Sequence, residues 1–424
     1  MKRTDEIYKN FVSILQEELK PAMGCTEPIA IAYAAAKARA VLGTTPKRVL
    51  IEVSGNIIKN VKSVVVPHTG GLRGIPAAAV AGIVAGDENA ELEVLSSVTA
   101  EGIARMAEYI KTTPIEVRYA ETPNIFDIMI TAFAGEDSAF VRIVGHHTNI
   151  VCIKRNGETL LEREAEETVG GLTDRSCMTI ERIVDFADTV ELDDVKDVLE
   201  RQIEYNMAIS EEGLAGDYGA KIGKTLLKRN QYDLSVRMRA YAAAGSDARM
   251  NGCEMPVVIN SGSGNQGITA SVPVIVYART VGKTHEELLR ALAVSNLVTI
   301  HLKTGIGRLS AYCGAVSAGC GAGAGLAYID GGKVREVAHT VVNAVAINSG
   351  IICDGAKASC AAKIASAVEA GLMGLEMFRN GNQFFGGDGI VKKGVENTIA
   401  SVSRLAKLGM EQTDKEIIKL MLDT

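Results

Sequence analysis

The sequence predicts an α+β fold: an N-terminal mixed α/β part with a small antiparallel or mixed sheet, then a mostly all-α, small-residue-rich C-terminal part. Three observations predict it. Alternating and β-branched runs fall between residues 48 and 154, whereas helical spacing dominates from about Leu192 onward. With 43 glycines, 4% aromatics and no tryptophan, the core must be built from Ala, Val, Ile and Leu at short range.

Taken in order, residues 5–42 read as helix, broken near Lys20-Pro21 and resuming after Pro28 as the alanine-rich run Ile29 to Val41. Arg48 to Val53 alternates as a strand does. Val61 to Val66 is a second β-branched run, also read as a strand, ending at the glycine turn Pro67-His68-Thr69-Gly70-Gly71. Ala77 to Ala85 and Ser97 to Tyr109 read as helices. Ile115 to Tyr119, Ile128 to Phe133, Ser138 to Val144 and Ile150 to Lys154 read as strands, with His146-His147-Thr148-Asn149 as the last connection. Beyond Leu192 helices are expected over Val195 to Ser210, Gly219 to Leu227, Leu234 to Ala244, Glu286 to Lys303, Val334 to Asn348 and Ala356 to Leu372. The charged, glycine-containing segment Glu162 to Arg175 reads as a linker. A boundary in roughly 170–192 therefore divides the chain into units 1–185 and 186–424.

At 424 residues with interspersed charges and a net charge of −6, the chain offers no basic face for nucleic acid. Its polar start lacks a signal-peptide core, and no long apolar run predicts a membrane span. A cytoplasmic protein is expected, and in that compartment thiols serve metal, cluster or redox chemistry rather than disulfides. There are eight cysteines. Cys152, Cys177 and Cys253 fit buried apolar positions. The other five stand among Gly, Asp, Thr and Ser: Cys25, and the pairs Cys313–Cys320 and Cys353–Cys360, each with six residues between its members. That spacing fits the C-x2-4-C of structural zinc poorly, whereas an iron–sulfur cluster accepts varied spacings and can keep one iron open as a Lewis acid. Redox C-x-x-C is missing.

Asn260-Ser-Gly-Ser-Gly-Asn-Gln-Gly267 leads into helix-compatible residues. Successive N–H groups in such a loop form a nest for a carboxylate or phosphate, and Ser261, Ser263 and Asn265 add donors. The G-x4-G-K-[ST] spacing of a nucleotide loop is lacking, so a small carboxylate suits it better. His68 and His147 follow strand-like runs among small polar residues, where an imidazole can act as a base. Lys357, near Cys353, can bind a carboxylate or serve as a base if desolvated.

Together, Gly24-Cys25-Thr26-Glu27-Pro28, Gly262-Ser263-Gly264-Asn265-Gln266-Gly267, Leu309-Ser310-Ala311-Tyr312-Cys313-Gly314 and Ile352-Cys353-Asp354-Gly355-Ala356-Lys357 resemble the L-cysteine desulfidase family. That family is related to the α-chain of the iron–sulfur L-serine dehydratases. The resemblance runs from about residue 10 to 422. It implies a carbon–sulfur lyase, independent of PLP, that uses an oxygen-sensitive [4Fe–4S] cluster to convert L-cysteine and water to pyruvate, ammonia and sulfide. It places the cluster ligands on Cys25, Cys313 and Cys353. The related serine dehydratases favour Cys320, Cys353 and Cys360 instead. On this reading Thr26, Ser261, Ser263, Asn265 and Gln266 are the expected substrate-binding residues, and His147, Lys357 and His68 are the candidate bases, among which the sequence does not choose. A small amino-acid substrate and a homodimer are expected, with no nucleic-acid or membrane partner. The competing readings are a lyase acting on serine or another β-substituted amino acid, a thiol or iron–sulfur sensor without turnover, and a structural zinc protein.

Overall fold

A computed structural model describes residues 1–164, 172–307 and 309–422. Helix α1 (Glu6–Glu18) leads through the short strand β1 (Pro21–Met23) into α2 (Thr26–Leu42). Strand β2 (Arg48–Val53) follows, then helices α3 (Gly55–Val61), α4 (Gly74–Ala85) and α5 (Ala100–Thr112). Next come strands β3 (Ile115–Tyr119), β4 (Asp127–Ala134), β5 (Asp137–Val144), β6 (Ile150–Arg155) and β7 (Glu158–Glu162). The rest is helical except for β8: α6 (Ile180–Thr189), α7 (Lys196–Ala215), α8 (Ile222–Arg229), α9 (Leu234–Met250), β8 (Pro256–Val258), α10 (Gly264–Val281) and α11 (His285–Ile306). Helices α12 (Gly314–Ile329), α13 (Val334–Ile347), α14 (Cys360–Arg379), α15 (Val395–Arg404) and α16 (Glu411–Leu422) complete the chain.

The sheet is mixed, in the order β3-β2-β4-β5-β6-β7, with β2 and β3 parallel and the other pairs antiparallel. Strands β4 and β5 alternate because only one face is covered, and α2 lies on that face. Alanine makes α2 thin enough for α4 to approach at backbone distance: a Cβ on Gly82 would stand 2.0 Å from the Ala32 carbonyl oxygen. One core joins the sheet, α2 and α4. A second joins the later helices, and α1 packs into this helical core through Phe11, Ile14 and Leu15 rather than against the sheet.

The expected strand over Val61 to Val66 is corrected. Val61 ends α3, and the following residues form a loop whose sheet-like contact is the isolated bridge between Val65 and Arg73. Val64, Val65 and Val66 are buried there, so the β-branched run reports burial rather than strand pairing. Of the expected linker over 162–175, residues 165–171 lie outside the described residues. Cys152, Cys177 and Cys253 are buried. Among the described residues, no helix is long and apolar enough to cross a membrane.

Candidate active site

A cleft of about 1040 Å³ opens between the sheet-bearing part and the helical part, and the starts of α2, α10, α12 and α14 are among those that line it. The first two are brought together by antiparallel pairing of β1 with β8, which sets Pro21 opposite Val258 and Met23 opposite Pro256. Gly24 turns with φ +61° into the start of α2, where Cys25 is the N-cap. The buried Cys25 thiol donates to Glu27 Oε2 at 3.1 Å, and Asn60 Nδ2 donates to Glu27 Oε1 at 3.2 Å. The Thr26 hydroxyl donates across to the carbonyl of Gly262 at 3.4 Å, tying α2 to the loop before α10. Burial pushes the Cys25 thiol well up and the Glu27 charge adds to this, while the nearby Arg249 guanidinium pulls it down.

The loop itself is held in an unusual backbone state. Ser261 has φ +51° and Gly262 φ +80°, the two left-handed central residues of a tight turn closed by reciprocal backbone hydrogen bonds between Asn260 and Ser263, each 3.1 Å. A buried amide network fixes this shape. Ser261 Oγ donates to Asn260 Oδ1 at 2.9 Å, Asn260 Nδ2 donates to Asn296 Oδ1 at 2.9 Å, and Asn296 Nδ2 donates to Gln202 Oε1 at 2.7 Å. Gly267 is required because a Cβ there would lie 2.0 Å from the Val258 carbonyl. The N-cap of α10, Ser263, makes no side-chain cap bond, leaving the first N–H groups of the helix for another acceptor.

On the opposite wall Cys313 caps α12 and Cys353 lies on the loop before α14. A bridge between Tyr312 and Ile352 joins them: Cys313 N–H donates to Ile351 at 3.1 Å, and Cys353 N–H to Ala311 at 2.6 Å. Cys360 opens α14 on the same wall. These three thiols feel one another's charge. Burial pushes Cys313 up to about 12, with Cys353 and Cys360 adding to it. Burial also raises Cys360, again with a contribution from Cys353. Two cations attend them. Lys303 is buried on α11, and burial lowers its ammonium to about 8 against the pull of Cys353 and Cys313. Lys363 pairs with Asp354. Burial opposes the Asp354 charge, but hydrogen bonds from Lys357 and Lys363 hold its carboxyl down at about 2.

The cleft thus brings together Cys25, Thr26, Ser261, Ser263, Asn265, Gln266, Cys313 and Cys353, with His147 on the sheet side packed edge-on against Phe126 at 4.9 Å. Two expected bases are placed elsewhere. His68 sits at a turn beside Glu254, 3.4 Å from ring nitrogen to carboxylate. Lys357 is committed to Asp354 at 2.5 Å. Cys320 lies seven residues into α12, inside the helical core, while Cys360 faces the cleft. Arg249, Glu27 and Lys303 had not been singled out from the sequence. The signal available for Glu27 was its place two residues after a helix-capping cysteine; for a buried arginine or lysine the sequence offers none.

Cys313 at the start of α12, Cys353 on the loop after α13 and Cys360 at the start of α14 all line the cleft, and thiolates are the ligands an iron–sulfur cluster takes; among the described residues no group of three or more His, Cys, Asp or Glu side chains is placed to hold one metal ion.

Residues 89–419 match the serine dehydratase alpha chain family. A UPF0597 protein of Desulfitobacterium hafniense is 57% identical over the whole of this chain and 99% of its own length. UPF0597 proteins of Treponema denticola and Oleidesulfovibrio alaskensis are 50% and 38% identical, each over 98% of both chains. The chain belongs to the UPF0597 proteins, within the serine dehydratase alpha chain family.

Proposed function

We propose that this protein is a PLP-independent lyase that eliminates sulfide from L-cysteine, giving pyruvate, ammonia and hydrogen sulfide with the uptake of one water. The observation that carries the reading is the convergence of Cys313, Cys353 and Cys360 on one wall of a cleft whose other wall presents Cys25 and an anion-receptive loop. In this reading those three thiols hold a [4Fe–4S] cluster, and Cys25, set apart with Glu27, is not a ligand. When bound, the cluster supplies a Lewis-acidic iron that polarises the substrate's β-substituent. The protein is proposed to act in the cytoplasm, as a homodimer, with units 1–185 and 186–424 meeting at the cleft.

The chain's own residues then have distinct tasks. The turn at Ser261 and Gly262 and the uncapped start of α10 receive the substrate carboxylate, with Asn265 and Gln266 beside it. Cys25, whose thiol donates to Glu27, first passes its proton to that carboxylate, and the thiolate so formed takes the α-proton; its raised affinity for a proton makes it a strong base once Glu27 has received the first one. His147 faces the same space as a second candidate acceptor. Loss of the α-proton and departure of sulfide give aminoacrylate, whose hydrolysis needs no residue. Lys303, beside Cys313 and Cys353, offsets negative charge on that wall.

The family description favours a second substrate, L-serine, from which the same elimination releases water and no sulfide. The test is product analysis of anaerobically reconstituted protein. Equimolar sulfide and pyruvate from L-cysteine support the desulfidase. Pyruvate from L-serine alone, with no sulfide from L-cysteine, moves the assignment to a dehydratase. No product from either, with the cluster present, overturns the lyase.

A further inference from the structure

We infer that Arg249 is the anchor for a free α-carboxylate, so that the site accepts only amino acids whose carboxyl group is neither esterified, amidated nor absent. This rests on the amino-acid lyase reading and adds the residue that enforces its substrate class.

Arg249, in the last turn of α9, is 3% exposed and lines the cleft. Its surroundings are wrong for an arginine with a structural task. It lies against the first residue of α10, where a Cβ on Gly264 would meet its Nε at 2.3 Å. A helix N-terminus carries partial positive charge and repels a cation, so this placement costs energy unless an anion joins the two. Among the described residues Arg249 makes no ion pair. Its one side-chain hydrogen bond runs from Nη1 to the neutral Asn265 Oδ1 at 3.2 Å, and its Nε is buried without a partner. A buried guanidinium without a counter-charge is costly, and its fork of donors matches a carboxylate. Gln266, 5% exposed, also leaves its Oε1 without a partner in the same place, an acceptor for the substrate's ammonium. Gly314, at the start of α12, has no side chain to intrude on Gln266: a Cβ there would stand 2.6 Å from it. The arrangement is therefore a cation, the uncapped start of α10 and an amide acceptor lining one cleft with Cys25. That is the complement of an α-amino acid's two charged groups, with its α-hydrogen carried toward the thiol.

The experiment measures calorimetric binding of L-alanine, which cannot eliminate, and of L-alaninamide to the cluster-loaded protein, its Arg249→Lys variant and its Arg249→Gln variant. L-alanine is expected to bind the unaltered protein and the amide at least about 30-fold more weakly, the scale of losing one buried charged partner. Arg249→Lys, which keeps the charge and loses the fork, is expected to weaken L-alanine by roughly 10-fold or more. For whichever substrate turns over, KM rises by a similar factor while kcat changes far less. Equal binding of L-alanine and L-alaninamide by the unaltered protein overturns the inference and needs no variant to fold. So does L-alanine affinity unchanged in Arg249→Lys. Because binding is read without turnover, a protein that releases no sulfide but discriminates L-alanine from its amide loses the desulfidase reading and keeps the carboxylate anchor.

Discussion

Replacing Asp414 by Asn should release helix α16 from the rim of the cleft while leaving the rest of the fold intact. Lys59 on α3 has a side chain only 1% exposed and pairs with Asp414, which is 17% exposed, while Asn56 Nδ2 donates to the other oxygen of Asp414 at 2.9 Å. The helices lie flush, since a Cβ on Gly55 would come within 2.6 Å of Ile418. Removing one partner of a buried pair strands the other, at about 3–5 kcal/mol. Asp414 keeps some access to water, which places the cost near the lower end, about 3 kcal/mol. The stranded ammonium has a cheaper escape than global unfolding: undocking α16 opens it to solvent. The loss should therefore appear as about 100-fold faster amide exchange across 411–422, with exchange in β4 and β5 unchanged. Hydrogen exchange read by mass spectrometry measures both regions at once. The double change Lys59→Met with Asp414→Leu, which removes both charges, should restore protection to within about 1 kcal/mol. Unchanged exchange at 411–422 in Asp414→Asn, or a double variant as unprotected as the single one, would refute the reasoning.

Iron content of anaerobically reconstituted protein should fall in Cys313→Ala, Cys353→Ala and Cys360→Ala but not in Cys25→Ala, which should stay brown and release no sulfide; iron lost from Cys25→Ala and kept in Cys360→Ala would restore the ligand set Cys25, Cys313 and Cys353. Gly319→Ala should destabilise by about 3 kcal/mol or more, because its Cβ would stand 2.2 Å from the Ala367 carbonyl across α12 and α14, whereas Gly350→Ala, with nothing within 4 Å, should change chemical denaturation by no more than about 0.5 kcal/mol. Burial raises the Asp247 carboxyl from 3.8 to about 6, so the folded state holds its proton more tightly than the unfolded chain and stability falls as pH rises through that window. Asp247→Asn, which can still accept from Gly223 N–H, should therefore gain stability over the natural protein at pH 8 and less at pH 5; an equal difference at both values would defeat this account.

The parts of this fold that were legible are those in which local pattern and long-range packing agree. Strands β4 and β5 alternate because one face meets α2, and period two survives into the structure. Helix α12 was invisible for the opposite reason. Its Gly-Ala-Gly-Ala run is poor helix former by propensity, yet Gly319 and Gly323 are needed where α14 crosses at backbone distance. The matched spacings of the two cysteine pairs were also uninformative about role. Cys313 caps a helix at the cleft while Cys320, two turns along, is enclosed by other helices; Cys353 and Cys360 both face the cleft because a loop and a helix start lie between them. Spacing fixes contour length, and whether seven residues are helix or loop decides where the second thiol ends up.

What the sequence did contain, unread, was a rule about helix starts. Cys25 caps α2, Ser263 caps α10, Cys313 caps α12 and Cys360 is the first residue of α14, and none of the four N-caps makes a side-chain cap bond. An uncapped start carries unpaired N–H groups and roughly half a positive charge; all four line one cleft, and at α14 the Cys360 and Ala361 N–H groups already donate to Lys357 and Ala358. Burial alone raises Cys313 and Cys360 and would keep them protonated. The helix starts, with Lys303 and Lys363, supply the opposing field that a set of buried thiolates requires. The same field on the α10 side has no thiolate to satisfy beyond Cys25, and Arg249 adds to it. A positive field at a helix start suits an anionic ligand, and with Arg249 close enough to Cys25 to act on its thiol, the ligand inferred here carries its carboxylate and acidic C–H side by side.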